Sequence, residues 1–181
     1  MPAYAAFLRG VNLGPRRKAA STELRAVFEG IGFEDAATFR TSGNVVFEAR
    51  REPVTKLAAR IETALADSLG FDVTVFLRTA GEVRAIAEHQ PFPRSAVDAS
   101  AGKLQVALLP AKPAKGTRDQ ALALATDEDR LAFDGRELYW LPSGGTRDAA
   151  LDMGAIEKLL GPMTMRTKGT LEQLAAKYFA G

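Results

Sequence analysis

The chain has 181 residues, a formal net charge of +2 and a sequence pI of about 9.0; 46% of its residues are hydrophobic and 25% charged. That composition is ordinary for a globular protein, fits one large or two small domains and excludes whole-chain disorder. With no cysteine and a single histidine, His89, the chain excludes disulfides, cysteine nucleophiles, thiolate metal sites and histidine-rich metal centres.

No metal or cofactor signature is present. Met1 leads straight into a strand-like run without a basic-then-apolar leader, and no apolar stretch approaches the roughly 20 residues that span a bilayer. A cytoplasmic protein without a membrane partner is expected. A charge of +2 is nearly neutral for this length, so only a local cluster would attract nucleic acid.

In chain order, Ala3 to Leu8 reads as a buried strand, ended by Arg-Gly. Ser21 to Ile31 reads as a helix, with Leu24, Val27, Phe28 and Ile31 on one stripe and Gly30 and Gly32 closing it. Ala36 to Arg40 and Asn44 to Glu48 flank Thr41-Ser42-Gly43 as a hairpin, where Gly43 permits a positive φ. Pro53 to Leu69 is a helix with Leu57, Ile61, Leu65 and Leu69 at every fourth position, closed by Gly70. Phe71 to Leu77 is the next strand.

Thr79-Ala80-Gly81-Glu82 has capping-box spacing and opens a helix to about His89. Arg94 to Gly102 reads as a loop and Lys103 to Leu109 as a strand. Thr117 to about Ala125 reads as a helix, with Thr117 and Gln120 at capping-box spacing. Arg130 to Phe133 and Glu137 to Leu141 flank Asp134-Gly135, a strong hairpin dipeptide. Ala149 to Leu160 is a helix with Asp148 as its natural N-cap. Met163 to Arg166 is a short strand, and Thr170 to Phe179 the last helix.

The order β-α-β-β-α-β therefore occurs twice, which defines the ferredoxin-like plait. The fold class is α+β: two ferredoxin-like plaits with antiparallel sheets and helices on one face of each. Residues 1–79 form the first plait, 80–102 a helix and linker, and 103–181 the second plait with an extra terminal helix. The halves share element order but no repeat of residues.

Two polar loops stand out. Arg9-Gly10-Val11-Asn12-Leu13-Gly14 leaves the first strand, and Thr41-Ser42-Gly43-Asn44 joins the second to the third. In a plait the third strand lies between the first two and antiparallel to both, so these loops share one end of the sheet, with Arg9 and Asn44 as expected neighbours. Gly10, Gly14 and Gly43 admit close approach of backbone N–H groups. Arg9, Arg16, Arg17 and Lys18 add four charges, and Asn12, Ser42 and Asn44 neutral donors and acceptors. Such a set suits a phosphate, a carboxylate or a nucleic-acid backbone. The structural alternative is that the asparagines hold turn backbone and Arg16-Arg17-Lys18 is a solvated run. The glycine spacing is neither a Walker loop nor a dinucleotide fingerprint.

Elsewhere, His89 reads as a surface or capping residue. Ser143-Gly144-Gly145-Thr146-Arg147-Asp148 has the look of an anion nest that the Asp148 cap explains more simply. Lys112, Lys115 and Arg118 surround a loop that shares one end of the second sheet with hairpin Asp134-Gly135-Arg136; the set reads either as a second basic site or, more simply, as a solvated run. Neither half carries the aromatic motif of an RNA-recognition plait.

At the paired loops the sequence resembles a bacterial family, domain of unknown function 1697. Phe7-Leu8-Arg9-Gly10-Val11-Asn12-Leu13-Gly14 and Ser42-Gly43-Asn44-Val45-Val46-Phe47 are similar to the family's Leu-Arg-Gly-Ile-Asn-Val-Gly-like opening and its Ser-Gly-Asn hairpin. The resemblance implies a two-plait α+β fold and implies no activity. Thr164, Arg166 and Thr170 fall on the family's Thr-x-Arg-Asn-x-x-x-Thr-like ending, with Thr167 in place of the usual Asn; Pro15 replaces a frequent second Gly and Asp148 a common Ser.

Three functional readings follow. The first is binding of an anionic ligand (a phosphorylated small molecule, a nucleotide or RNA) by Arg9, Gly10, Asn12, Gly14, Ser42, Gly43 and Asn44, with Arg16, Arg17, Lys18, Arg166 and Thr170 as further candidates. The second is an enzyme at the same pocket, Ser42 its nucleophile and Arg9 stabilising negative charge, with no evident base. The third is a structural or interaction module without a small-molecule site.

Overall fold

A computed structural model describes residues 1–146 and 149–181. The chain divides into two compact units, Met1–Ala85 with Leu174–Gly181, and Ile86–Gln173.

The first unit holds β1 (Ala3–Arg9), α1 (Ser21–Gly30), β2 (Glu34–Thr38), β3 (Asn44–Glu48), α2 (Val54–Leu69) and β4 (Thr74–Thr79). Its sheet runs β2-β3-β1-β4 with every neighbouring pair antiparallel. Alternation along the strands sends Tyr4, Ala6, Leu8, Val45, Phe47, Val75 and Leu77 to the side covered by the helices. Leu57, Ile61 and Leu65 of α2 meet them with no exposed surface, each contributing about 1.5–3 kcal/mol of burial. Phe47 is the hub: its ring stacks on Phe33 at 4.7 Å and lies 5.2 Å from Phe28 and 5.6 Å from Tyr4.

The helix ends follow local chemistry. Gly32, at φ +90°, lets its N–H reach the Glu29 carbonyl while Phe33 N–H reaches Phe28, a Schellman closure of α1. Packing of the Phe33 ring on Phe28, 6.1 Å between centroids, completes that motif.

The second unit comprises the end of α3 (Ala80–Glu88), α4 (Arg94–Ala99), β5 (Gln105–Leu108), α5 (Lys115–Leu122), β6 (Asp129–Asp134), β7 (Glu137–Pro142), α6 (Met153–Leu160), β8 (Thr164–Thr167) and the start of α7 (Lys168–Tyr178). Its sheet runs β6-β7-β5-β8, again antiparallel throughout. Trp140 donates its indole N–H to buried Asp129 at 2.9 Å, tying β7 to β6. The two four-stranded antiparallel sheets give the α+β, doubly ferredoxin-like architecture expected from element order.

Several boundaries differ from the sequence reading. Residues 94–99, expected as loop, form α4: Pro93 at the N-cap accepts from Val97 N–H, and its fixed φ presets the first turn. The α5 helix starts at Lys115 on an Ala114 cap, so Thr117 lies within its first turn instead of capping it. The α6 helix starts at Met153, where the Asp152 carboxylate accepts from Ala155 N–H at 3.0 Å; the expected cap, Asp148, lies outside the described residues. The β2 strand ends at Thr38 because Arg40 turns left-handed at φ +64°.

A repeat of residues is also present where none was read. Arg78-Thr79-Ala80-Gly81 and Arg166-Thr167-Lys168-Gly169 each carry a fourth strand into a helix. Arg78 pairs with Ala5 of β1 and Arg166 with Val106 of β5, the same place in each sheet. Both threonines cap: Thr79 Oγ1 accepts from Glu82 N–H and Thr167 Oγ1 from Thr170 N–H, each at 3.2 Å. Only the first is a full capping box, since Glu82 accepts in return from Thr79 N–H at 2.8 Å. Thr79→Ala is therefore expected to lower stability by about 1 kcal/mol, read as a fall in the urea midpoint at unchanged slope. A Thr79→Ser variant should retain most of it, and an unchanged midpoint for the alanine variant would contradict the assignment.

Candidate functional site

The loop after β1 and the β2–β3 hairpin meet, as the plait topology requires. Leu8 N–H donates to the Gly43 carbonyl at 2.8 Å, directly beyond the Phe7–Asn44 register pair. Gly43 stands at φ +87°, and a Cβ there would lie 2.5 Å from Val11 Cγ2 and 3.1 Å from Leu8 Cβ. The hairpin thus passes the first loop at a distance only glycine allows.

Two asparagines fix the loops. Asn12, at φ +54°, donates its amide to the Thr41 carbonyl at 2.8 Å and to the Ala19 carbonyl at 3.3 Å, and its Oδ1 accepts from Ala19 N–H at 2.9 Å. Both ends of the β1–α1 loop and the hairpin are held by one side chain. Asn44 is fully buried and donates to the Phe39 carbonyl at 2.7 Å and to Ser42 Oγ at 3.1 Å. Phe39 N–H returns to the Asn44 carbonyl at 2.9 Å. The segment Phe39-Arg40-Thr41 is pinned at each end, and between the pins Arg40 holds a left-handed backbone that costs a non-glycine residue about 1 kcal/mol or more.

A groove of about 730 Å³ opens between the loops. Asn12, Gly14 and Lys18 line it from the first loop, Ala20, Ser21 and Leu24 from the start of α1, and Arg40 and Thr41 from the hairpin. Ala20 occupies the α1 N-cap and offers no side-chain acceptor, so first-turn N–H groups, with their partial positive charge, lack a side-chain cap. Lys18 and Arg40 bring full charges from separate segments, and Leu24 and Ala19, buried in the core, back the groove.

Of the sequence-predicted residues, Asn12, Gly14 and Lys18 line this groove. Asn44 and Gly43 lie buried and shape the hairpin; Ser42 Oγ accepts the Asn44 amide. Arg9 ends β1 opposite Thr74 of β4, two residues past the Phe7–Asn44 pair. Arg17 folds back, donating to the Asp72 carbonyl at 3.0 Å and the Gly10 carbonyl at 3.3 Å with its guanidinium over Phe71; Gly10, at φ +95°, gives it room. Arg16 is exposed.

Arg166 and Thr170 belong to the second unit. Arg166 is buried and donates to Thr164 Oγ1 and the Met165 carbonyl, and burial lowers its guanidinium to about 10. Thr170 is engaged with Thr167 at the head of α7. In the same unit the lone His89 packs on the Tyr139 ring at 5.0 Å, with Asp134 3.9 Å from its Nδ1.

Arg40 is the residue sequence reasoning missed. It reads as the last residue of a strand; only the left-handed turn after Thr38 moves it into the loop and onto the groove.

Among the described residues, no helix is long and apolar enough to cross a membrane. No curated protein matches the chain. The solved structure of a conserved bacterial protein, SP0830 from Streptococcus pneumoniae, is similar at a TM-score of 0.70 and 20% identity over 97% of each chain; at that identity the likeness shows a shared fold. A family model for a protein of unknown function, DUF1697, matches residues 1–139, a span that contains β1, the hairpin and every residue lining the groove. The chain belongs to the DUF1697 family.

Proposed function

We propose that this protein binds an anionic ligand, a phosphorylated small molecule, a nucleotide or RNA, in the groove between the β1–α1 loop and the β2–β3 hairpin. The observation that carries this reading is the placement of Lys18 and Arg40, from two separate segments, on one groove at the α1 N-terminus, where no side chain caps the first turn. Cations and oriented N–H groups favour phosphate. The strained Arg40 backbone, held by Asn12 and Asn44, supports the same reading, since such strain persists where surroundings over-determine it.

Binding roles shift accordingly. Lys18, Arg40 and the α1 backbone contact the ligand, and Asn12, Gly43 and Asn44 position them. Calorimetric titration with nucleotides, short RNA and phosphorylated metabolites tests this. Lys18→Glu and Arg40→Glu are each expected to weaken binding more than tenfold, since a charged hydrogen bond contributes about 1.5–3 kcal/mol and 1.4 kcal/mol is tenfold. The melting midpoint should change little for Lys18→Glu, because Lys18 is exposed. Equal affinity of both variants and the parent for every phosphate-bearing ligand would remove the groove as the site.

A further inference from the structure

The cationic edge of the groove continues past Arg40. The Arg40 guanidinium carbon lies 5.2 Å from the Phe39 ring centroid. Lys177 Nζ lies 5.9 Å from that centroid and 5.2 Å from the Tyr178 ring. Tyr178 meets Phe39 edge-on, with centroids 6.1 Å apart at 82°. Lys177 and Tyr178 end α7 and belong to the same compact unit as the hairpin. One ring thus joins a groove-lining arginine to a C-terminal lysine and tyrosine, and that ring is held in place through its own backbone by Asn44.

Local chemistry accounts for part of this. A lysine in the last turn of a helix complements its dipole, and cations over aromatic faces are attracted to them. Neither effect requires Lys177 to share its ring with a residue of the groove. The combination of spaced cations and half-exposed aromatic rings matches single-stranded nucleic acid, which presents repeating phosphates and free base faces. A mononucleotide has no second phosphate group to reach Lys177, and a duplex hides its base faces.

We infer that the groove and the Arg40–Phe39–Lys177–Tyr178 strip form one track for single-stranded nucleic acid. A nucleotide occupies the groove with its phosphate at Lys18 and Arg40, and the neighbouring nucleotide lies along Lys177 and Tyr178. The inference rests on the anion-binding reading of the groove and narrows its ligand to a single-stranded polymer.

Fluorescence anisotropy with a labelled oligouridylate of about eight nucleotides, beside calorimetry with uridine monophosphate, tests it. The oligonucleotide should bind at least tenfold tighter than the mononucleotide. Three cations imply a log–log salt dependence with slope near −2, at about −0.7 per phosphate neutralised on a single strand. Lys177→Glu should weaken the oligonucleotide at least fivefold, make its salt slope shallower by about 0.7 and leave the mononucleotide unchanged. Lys177 is exposed, so the variant should fold, and its melting curve checks that; Lys177→Ala should follow in the same direction.

Equal affinity for both probes, or oligonucleotide binding untouched by Lys177→Glu while Arg40→Glu still weakens uridine monophosphate, would overturn the track and leave the groove standing. Tighter binding of labelled polyglutamate than of the oligonucleotide, at equal charge and salt, would assign the strip to acidic protein segments and overturn it too. Probes that both ignore Lys18→Glu and Arg40→Glu would bring down the groove reading and the track with it.

Discussion

Gly43→Ala is expected to destabilise the protein by about 2–4 kcal/mol. Two penalties combine. Alanine at φ +87° is strained by about 1 kcal/mol or more. Its Cβ would also stand 2.5 Å from Val11 Cγ2 and 3.1 Å from Leu8 Cβ, and such overpacking costs about 1–3 kcal/mol. Leu8 has little freedom to yield, because its backbone is bonded to the Gly43 carbonyl and its side chain is buried in the core. For a chain of this size 1 kcal/mol moves the melting midpoint by about 2–4 °C, so the fall should be plain in a thermal scan. Gly14→Ala is the matched control: φ is similar at +82°, yet nothing lies within 4 Å of the added Cβ. It should show only the backbone penalty. Equal midpoints for the two variants would mean that the loops do not touch as described.

The contact beneath that prediction is legible from topology alone. The order of strands dictates that the loop after the first and the hairpin after the second share one end of a plait, and apolar stripes such as Leu57, Ile61 and Leu65 are local spacings that survive into the fold. What was not readable depends on tertiary partners. Arg17 and Lys18 are adjacent cations of equal propensity, yet one bonds the Asp72 carbonyl and the other lines the groove; the difference is set by Phe71 and Asp72, more than fifty residues on. Arg40 escaped because a strand boundary two residues early turns a sheet residue into a groove residue. Asn12 was recognisable as a turn residue, but the carbonyls of Ala19 and Thr41 that it bridges come together only in the folded unit. The Arg-Thr-x-Gly repeat is a short local run whose meaning needs the fold, since only the pairing of Arg78 with Ala5 and of Arg166 with Val106 puts its two copies at equivalent places.

Asn44 separates holding from binding most sharply. Its side chain has no exposed surface and its amide donates to the Phe39 carbonyl and Ser42 Oγ. Asn44→Ala leaves that carbonyl without its side-chain donor in a buried place, so about 1–3 kcal/mol of stability should be lost, to much the same extent at every pH. Asn44→Asp keeps the shape but replaces an N–H donor with an acceptor facing another acceptor. Ionised, the new carboxylate is both desolvated and repelled, so its pKa in the fold rises above its unfolded value of about 3.9. A group with a raised folded pKa contributes most below the unfolded value and loses that contribution as pH rises through the folded one. Protonated, the acid can donate to the Phe39 carbonyl, so the aspartate variant should approach parental stability near pH 4 and fall below the alanine variant at pH 7. Urea midpoints for the three proteins across that range measure it. A flat, pH-independent deficit for Asn44→Asp would show that the side chain reaches solvent and that Phe39, with Arg40 beside it on the groove, is held by something other than Asn44.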